Sequence, residues 1–480
     1  MTERRSITPE LFESFLAFET EHQLFSYSVK GHPFWDYVRY YVMSCIINFR
    51  PDHVRRRTVR YRDAAKDLPA TLAYFASIPF RGRGPYDLMF FDLPRTSLLN
   101  GKCVNVLTFP IVEHLHPRFR ILVINPSELY EDIEKEYPVD VIRSRPYRYL
   151  DKAKSFWTQY SRADLSVFNE IRLKVKARFG ADIDMVADAR RLYSFQLQEY
   201  RRYLRLFGCY SPKAVIYADN GYMKPVIEAA RALKIPTIEL QHSLLPSMSV
   251  YCNYQECPPY PKTVLADYLF TYGDYWNNRL RAPVRPISVG YPFLELKVKQ
   301  SSHLDRPRSE RKNIIIAAGS YSKEEFIRVA LQLADLVPDY NILYKLKPEH
   351  SRNWQDHFPQ ELLEKRNVKI LDDNAWSIYD YLPICSCQIG TNSGALYEGL
   401  YFGLTTFVLK TGWYEEMKPL YDGGYAFLVS SAEEIGDRIR RHMKPPNHIE
   451  KESLFKSNSL ENMERAITDI VTHRVPINHE

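Results

Sequence analysis

Gln388-Ile389-Gly390-Thr391-Asn392-Ser393-Gly394-Ala395-Leu396-Tyr397-Glu398-Gly399-Leu400 reads as a strand end, a tight polar turn and the start of a helix. Just upstream and into it, Ile384, Cys385, Cys387 and Ile389, broken by Ser386 and Gln388, have the make-up of a short buried strand. Gly390 to Gly394 is small and polar, and Leu396, Tyr397 and Leu400 then fall on one side of a helix. In such a passage, free backbone N–H groups and the positive end of the helix dipole converge on one point, which makes an anion site. Ser393 is the expected N-cap, and Thr391 and Asn392 add side-chain donors. Glu398, about one and a half turns into the helix, is placed to reach a ribose hydroxyl. The turn is therefore expected to hold the phosphate or diphosphate of a nucleotide-activated donor. The alternative is an ordinary strand-to-helix turn.

Working outward, the same pattern repeats on both sides. Strand 313–318 ends at Gly319-Ser320-Tyr321-Ser322, strand 341–346 at Lys347-Pro348-Glu349-His350, and strand 368–371 at Asp372-Asp373-Asn374. Strands 406–409 and 426–429 follow the turn. Earlier in the chain, strand 86–91 leads to Arg95 and Gly101-Lys102, and a second strand spans 120–125. Strand 214–218 ends at Asp219-Asn220-Gly221, helix 223–233 follows, and strand 237–240 ends at Gln241-His242-Ser243. A further strand, 268–273, leads towards Val289-Gly290-Tyr291-Pro292. This βαβ spacing argues for parallel sheets.

The reading that results is an α/β chain of two Rossmann-like domains facing a cleft, with an N-terminal helical extension over residues 8–50 and a charged helical stretch at 150–207. Residues 1–297 form the extension and first domain, 298–312 a Ser/Arg/Lys-rich linker, and 313–445 the second, nucleotide-donor domain. Residues 446–480 supply a terminal helix that packs back on the first domain.

Composition narrows the class. At 480 residues the chain exceeds one ordinary domain, and 45% hydrophobic with 26% charged residues excludes a disordered one. The 35 Tyr and 25 Phe suit sugar or nucleobase stacking and core packing equally. A net charge of +7 fits anionic substrates or an anionic membrane surface but is too weak to argue for nucleic acid. The odd count of seven cysteines, without paired zinc spacing, points to reduced thiols and a cytoplasmic protein. No signal peptide opens the sequence, and the early apolar stretch 37–49 contains Arg39 and is too short to span a bilayer. Peripheral contact with the inner face of the cell membrane through Arg55-Arg56-Arg57 stays open beside a plain solvated face.

The order of these pieces resembles the GT-B class of glycosyltransferases, and more narrowly the bacterial surface-polysaccharide transferases. The resemblance is carried by Glu239-Leu240-Gln241-His242, by Tyr268 to Trp276 with Val289-Gly290-Tyr291-Pro292, by Lys345-Leu346-Lys347-Pro348-Glu349, and by Thr391 to Gly403. It covers about residues 85–430 and departs from related transferases in one place. Where they carry a His-Pro pair after the strand, Pro348 here is followed by Glu349-His350. The resemblance implies sugar transfer from a nucleotide-activated donor to a growing polysaccharide or glycolipid acceptor, without a metal or other cofactor. The stereochemical expectation is inversion. Asp182-Ile183-Asp184 has the spacing of a metal motif but lacks a preceding buried strand.

Transfer needs a base for the acceptor hydroxyl and positive groups for the departing phosphate. His242 is the first base candidate because it titrates nearest neutrality; Asp219 is the second, and Glu239 is expected to orient. Lys345 and Lys347, two apart on a strand, share a face and with Ser320 and the 391–393 turn would neutralise phosphate. Glu349 and Glu398 are the ribose candidates. Two other readings remain: a nucleotide-sugar 2-epimerase, which needs no acceptor, and a non-catalytic nucleotide- or glycan-binding protein of the same fold.

Overall fold

The computed structural model describes residues 7–47, 84–125, 136–245, 248–255, 264–301, 310–317, 323–346, 354–372 and 377–472. Arg55 to Arg57, Cys257, Ser320, Lys347 and Glu349 lie outside them.

Seven parallel strands build the first sheet: β1 (Leu88–Phe91), β2 (Ile121–Asn125), β3 (Asp140–Arg143), β4 (Ala214–Ala218), β5 (Thr237–Leu240), β6 (Tyr268–Thr271) and β7 (Arg285–Ser288). Six more build the second: β8 (Asn313–Ala317), β9 (Asn341–Lys345), β10 (Val368–Leu371), β11 (Cys387–Gly390), β12 (Thr405–Leu409) and β13 (Phe427–Val429). Their spatial orders are β7-β6-β5-β4-β1-β2-β3 and β10-β9-β8-β11-β12-β13. Each sheet thus runs outward in both directions from its first strand, and the order reverses between β1 and β4 and between β8 and β11. In open α/β sheets the crevice at the carboxyl ends beside such a reversal is where ligands bind. The stretch 388–400 leaves β11 at one of these two points.

Side-chain alternation explains why the strands are apolar throughout. Leu88 and Phe90 enter one cluster while Met89 and Phe91 enter another on the opposite face. In the second sheet Ile314 and Ile316 face a third cluster, whereas Ile315 and Leu343 join the one that holds Leu88 and Phe90. That shared cluster runs through both domains and holds their sheets together.

The helices used below are α1 (Pro9–Glu21), α2 (Trp35–Ile46), α3 (Phe109–Leu115), α4 (Arg145–Ser155), α5 (Arg162–Phe179), α6 (Ser194–Tyr210), α7 (Asn220–Ala232), α8 (Pro292–Ser301), α9 (Ala395–Tyr401) and α10 (Ser459–Val471). Thr8 caps α1 by accepting the Leu11 N–H at 3.2 Å. Phe12, Phe15, Leu16 and Phe18 of α1 are buried with Trp35 of α2. Beneath them the Glu19 carboxylate accepts from Trp35 Nε1 at 2.6 Å and from Arg39 Nε at 2.8 Å. Asp36 pairs with Lys224 of α7 at 3.2 Å, so the extension is joined to the first domain by a buried charge pair. Pairing is what makes such burial tolerable.

Helix α8 continues to Ser301, so the first residues of the expected linker are helical, and its Lys297 reaches Asp380 of the second domain at 3.1 Å. Helix α10 lies against the first domain. Glu464 meets His114 of α3 at 2.7 Å, and the Ser459 hydroxyl donates to Glu295 of α8 at 2.6 Å. Close approach there demands glycine: a Cβ on Gly290, which sits at φ +99°, would lie 2.2 Å from the Lys456 carbonyl oxygen.

Candidate active site

Arg95, Asp219 and His242 gather at the reversal point of the first sheet. The chain leaves β1 through Asp92, whose buried carboxylate accepts from the Thr108 hydroxyl, the Tyr137 hydroxyl at 2.9 Å and Asn125 Nδ2 at 2.9 Å. This anchor sets the start of the loop that carries Arg95. A hairpin (Thr96–Leu99 with Lys102–Asn105) follows, and Arg95 Nη1 donates to the backbone carbonyl of His242.

β4 ends at Asp219, which adopts φ +67°, a left-handed conformation sparsely used by residues other than glycine. Its carboxylate accepts the Gly221 N–H at 3.1 Å and so caps α7. Tyr251 closes over this turn so tightly that a Cβ on Gly221 would fall 2.4 Å from its ring. From β5, Glu239 is buried and accepts from the Asn220 N–H at 3.1 Å and from Asn220 Nδ2 at 3.3 Å. It therefore steadies the Asp219 turn. Burial pushes the Glu239 carboxyl up to about 7; Asn220's hydrogen bonds oppose the rise and the Asp219 charge adds to it.

Burial lowers the affinity of the His242 ring for a proton, Asp219 partly restores it, and Arg95 lowers it again. The imidazole is thus held neutral at neutral pH, the form able to accept a proton.

The opposite wall comes from the second domain. Glu398 of α9 accepts from the Tyr379 hydroxyl at 2.9 Å. Burial raises its carboxyl to about 7, against the Tyr379 hydrogen bond and the Arg95 charge. Tyr291 and Tyr272 of the first domain feel the charge of Glu398, and their rings stack at 4.6 Å. Arg95 thus hydrogen-bonds the backbone of His242 in one domain, and its charge also reaches Glu398 in the other. Tyr397, beside Glu398, packs its ring 4.7 Å from that of Trp276 and fixes α9 against the first domain.

The turn itself differs in detail from the sequence expectation. α9 starts at Ala395 with Gly394 as its N-cap; Ser393 instead accepts the Ala395 N–H at 3.3 Å. With only seven residues in α9, the helix dipole is weaker than a long helix would supply. Thr391 is buried and spends its hydroxyl on the Thr411 carbonyl at 2.5 Å, so it ties the turn to the loop after β12 rather than facing a ligand. Asn392 is half-buried at the turn's crest. Lys345 ends β9 beside Ala317 of β8, one strand from the turn.

Asp182 is bound by Arg172 and Lys176, both at 2.8 Å, on the surface away from this cleft, and Asp184 caps a short helix. Among the described residues no His, Cys, Asp and Glu cluster could hold a metal ion. Also among them, no helix is long and apolar enough to cross a membrane. Sequence reading passed over Arg95 as a binding group and missed Tyr272, Tyr291 and Tyr379. The available signal was position, since each Tyr of the first domain follows a strand end.

No protein-family model matches the sequence, and no curated protein matches it. Among solved structures, a chain of Listeria monocytogenes described as a UDP-N-acetylglucosamine 2-epimerase aligns with a TM-score of 0.50 at 10% identity, over 82% of this chain and 98% of that one. The fold is GT-B. The UDP-GlcNAc 2-epimerase of Methanocaldococcus jannaschii gives a TM-score of 0.49 at 11% identity, covering 80% of this chain and 99% of its own. MurG of Acinetobacter baumannii gives 0.44 at 11% identity, covering 81% and 99%. In this GT-B chain the cleft between the two sheets is the one lined by His242, Arg95 and Glu398.

Glu239 carries a prediction of its own. An unfolded glutamate titrates near 4.3, so a folded value of about 7 means that the fold favours the protonated carboxyl. That stabilisation is whole below the unfolded value and is lost as pH rises through 7. Glu239→Gln cannot ionise, and turning the Asn220 amide over offers its buried, unbonded Oδ1 to the new NH2 group. The variant should gain up to about 3 kcal/mol over the parent at roughly pH 8 and nothing at roughly pH 4. Urea melts at the two pH values check this, and an equal difference at both would sink it.

Proposed function

We propose that this chain acts on a nucleotide-activated sugar held in the cleft, with epimerisation at C2 of the sugar as the leading reaction. The observation that supports the reading is Arg95, which donates to the His242 carbonyl in one domain and is near enough for its charge to act on Glu398 of the other. The diphosphate would lie between Arg95 and the Asn392-Ser393 turn, with Lys345 adding charge and a Glu398 oxygen accepting a ribose hydroxyl. Ser320, Lys347 and Glu349 stay candidates for the same donor. His242, backed by Asp219, would be the base.

Inverting one carbon requires a proton to leave and another to return. His242, held neutral, and Glu239, near 7, are two groups able to exchange protons around neutrality. One solved structure with a TM-score of 0.50 is described, provisionally, as such an epimerase. Transfer to a surface-glycan or glycolipid acceptor is the second reading, favoured by the transferase-like segments at 239–242 and 391–403; it needs one base, and His242 supplies it.

Two measurements decide between them. CMP-, CDP-, UDP- and GDP-sugars are screened for a rise in melting temperature, which at a hundredfold excess over Kd should correspond to about 2.7 kcal/mol. The sugar that binds is then incubated in D2O without acceptor. Deuterium at C2 with a changed configuration supports epimerisation; intact sugar that reacts only when an acceptor is added supports transfer. If none of the sugars raises the melting temperature, both readings fail.

A further inference from the structure

Helix α4 exposes apolar side chains at its C-terminal end. Its inward positions are mixed: Tyr147 packs against the core, while Asp151 is buried and binds Arg202 of α6 at 2.6 Å, and Ser155 is buried. Its outward positions are Leu150, Ala153, Lys154 and Trp157, spaced i, i+3, i+4 and i+7, so they form one stripe. Trp157 is 76% exposed, Phe156 62% and Leu150 45%, where an ordinary amphipathic helix would bury such residues.

These aromatics do not sit on a loose loop. The N–H groups of Phe156, Trp157 and Thr158 bond to the carbonyls of Ala153, Lys154 and Ser155 at 3.3, 3.2 and 3.2 Å, which continues the last turn. Cations surround them. Lys152 Nζ lies 5.5 Å from the Phe156 ring centroid, and Lys154 stands on the stripe itself. Arg191 is close enough to depress the Lys152 ammonium further than burial alone does, and exposed Arg190 is close enough to act on the Tyr160 ring hydroxyl. Acids lie nearby as well, but they are engaged: Asp188 by Arg191 at 3.0 Å, Asp151 by Arg202 at 2.6 Å, and Asp164, whose charge also acts on the Tyr160 hydroxyl, by the Lys30 N–H at 3.0 Å.

We infer that the end of α4 is a membrane-docking patch, in which Trp157, Phe156 and Leu150 enter the interface of an anionic phospholipid bilayer while Lys152, Lys154, Arg190 and Arg191 meet its headgroups. Charge complementarity selects this occupant: exposed aromatic side chains with cations beside them match a negatively charged surface with an apolar layer just below it. Size argues against a protein partner. Three side chains of this kind expose roughly 400 Å² at most, about half of the roughly 800 Å² per partner in a stable interface. The patch is independent of which reaction the cleft performs.

The test is sedimentation of the full chain with vesicles of phosphatidylcholine alone and of phosphatidylcholine mixed with phosphatidylglycerol. The unaltered chain should pellet with the mixed vesicles, and at least about tenfold less with the neutral ones. Phe156→Ser/Trp157→Ser should lose that binding by about tenfold or more, and so should Lys152→Gln/Lys154→Gln/Arg190→Gln. All three proteins should keep nearly the same melting temperature, because Phe156, Trp157, Lys154 and Arg190 are exposed and Lys152 is half-buried without an ion pair among the described residues. Equal binding to both vesicle types, or unchanged binding of the aromatic double variant, overturns the proposal. A dimer in analytical ultracentrifugation that Trp157→Ser abolishes would also overturn it, by assigning the patch to a second copy.

Discussion

His242→Ala is expected to lower turnover by about 10²–10⁴-fold and to leave the donor-induced rise in melting temperature nearly unchanged. Two features of the site separate these effects. The ring is the part of His242 held neutral by burial and Arg95, whereas Arg95 is held by the backbone carbonyl of His242. Alanine removes the ring and keeps the carbonyl, so the positive charge assigned to the diphosphate stays where it is. The loss should therefore fall in kcat rather than KM. A raised KM at constant kcat would make His242 a binding group and end its assignment as the base. Asp219→Ala sharpens the test, since Asp219 is the neighbour that draws a proton towards His242. Without it the acid limb of the kcat/KM profile should move to lower pH, because the imidazole then gives up its proton sooner.

What the sequence disclosed depended on how much each element buries. Leu88-Met89-Phe90-Phe91 and Ile121 to Ile124 are buried on both faces, and an unbroken apolar run announces such strands. β3 and β7 went unread for the opposite reason. They are the two edges of the first sheet, mostly half-exposed, and β7 carries Pro286, which only an edge strand accommodates. The reversal of strand order was likewise hidden, because order across a sheet is set by long-range pairing and not by local pattern. Once the pairing is known, β11 and its turn fall at the reversal point, a better reason to place a ligand there than the turn's own residues give. The site was legible only by halves. His242 and Asp219 could be nominated as polar groups near strand ends, and Glu398 as a carboxylate on the helix after the turn. That the Arg95 charge reaches Glu398 follows from domain packing that brings together residues about 300 positions apart in the chain, a relation no window of sequence contains.

Gly399→Ala should destabilise the second domain by about 3–5 kcal/mol, a large effect for one methyl group. Gln388 of β11 lies fully buried under α9, where its Nε2 donates to the Leu396 carbonyl at 2.7 Å and to the Thr406 hydroxyl at 2.8 Å. A Cβ on Gly399 would sit 2.0 Å from Gln388 Oε1 and 2.3 Å from its amide carbon and nitrogen. Either the side chain leaves its pocket and abandons both hydrogen bonds, or α9 lifts from the sheet and carries Glu398 away from Tyr379. The first route costs about 1–3 kcal/mol for each buried group left unbonded, and the second breaks the site as well. Gln388→Ala tells them apart. On its own it should destabilise by leaving a cavity and two unpaired acceptors, but in combination with Gly399→Ala the new methyl enters the space vacated. The double variant should therefore be more stable than the sum of the two single losses predicts, by at least about 1 kcal/mol in a double-mutant cycle. Additive losses in urea melts would mean that Gly399 is needed for some reason other than contact with Gln388. If the contact is the reason, the small residues of 388–400 serve first to let a short helix lie directly on its strand, and that closeness is what brings Glu398 to the cleft.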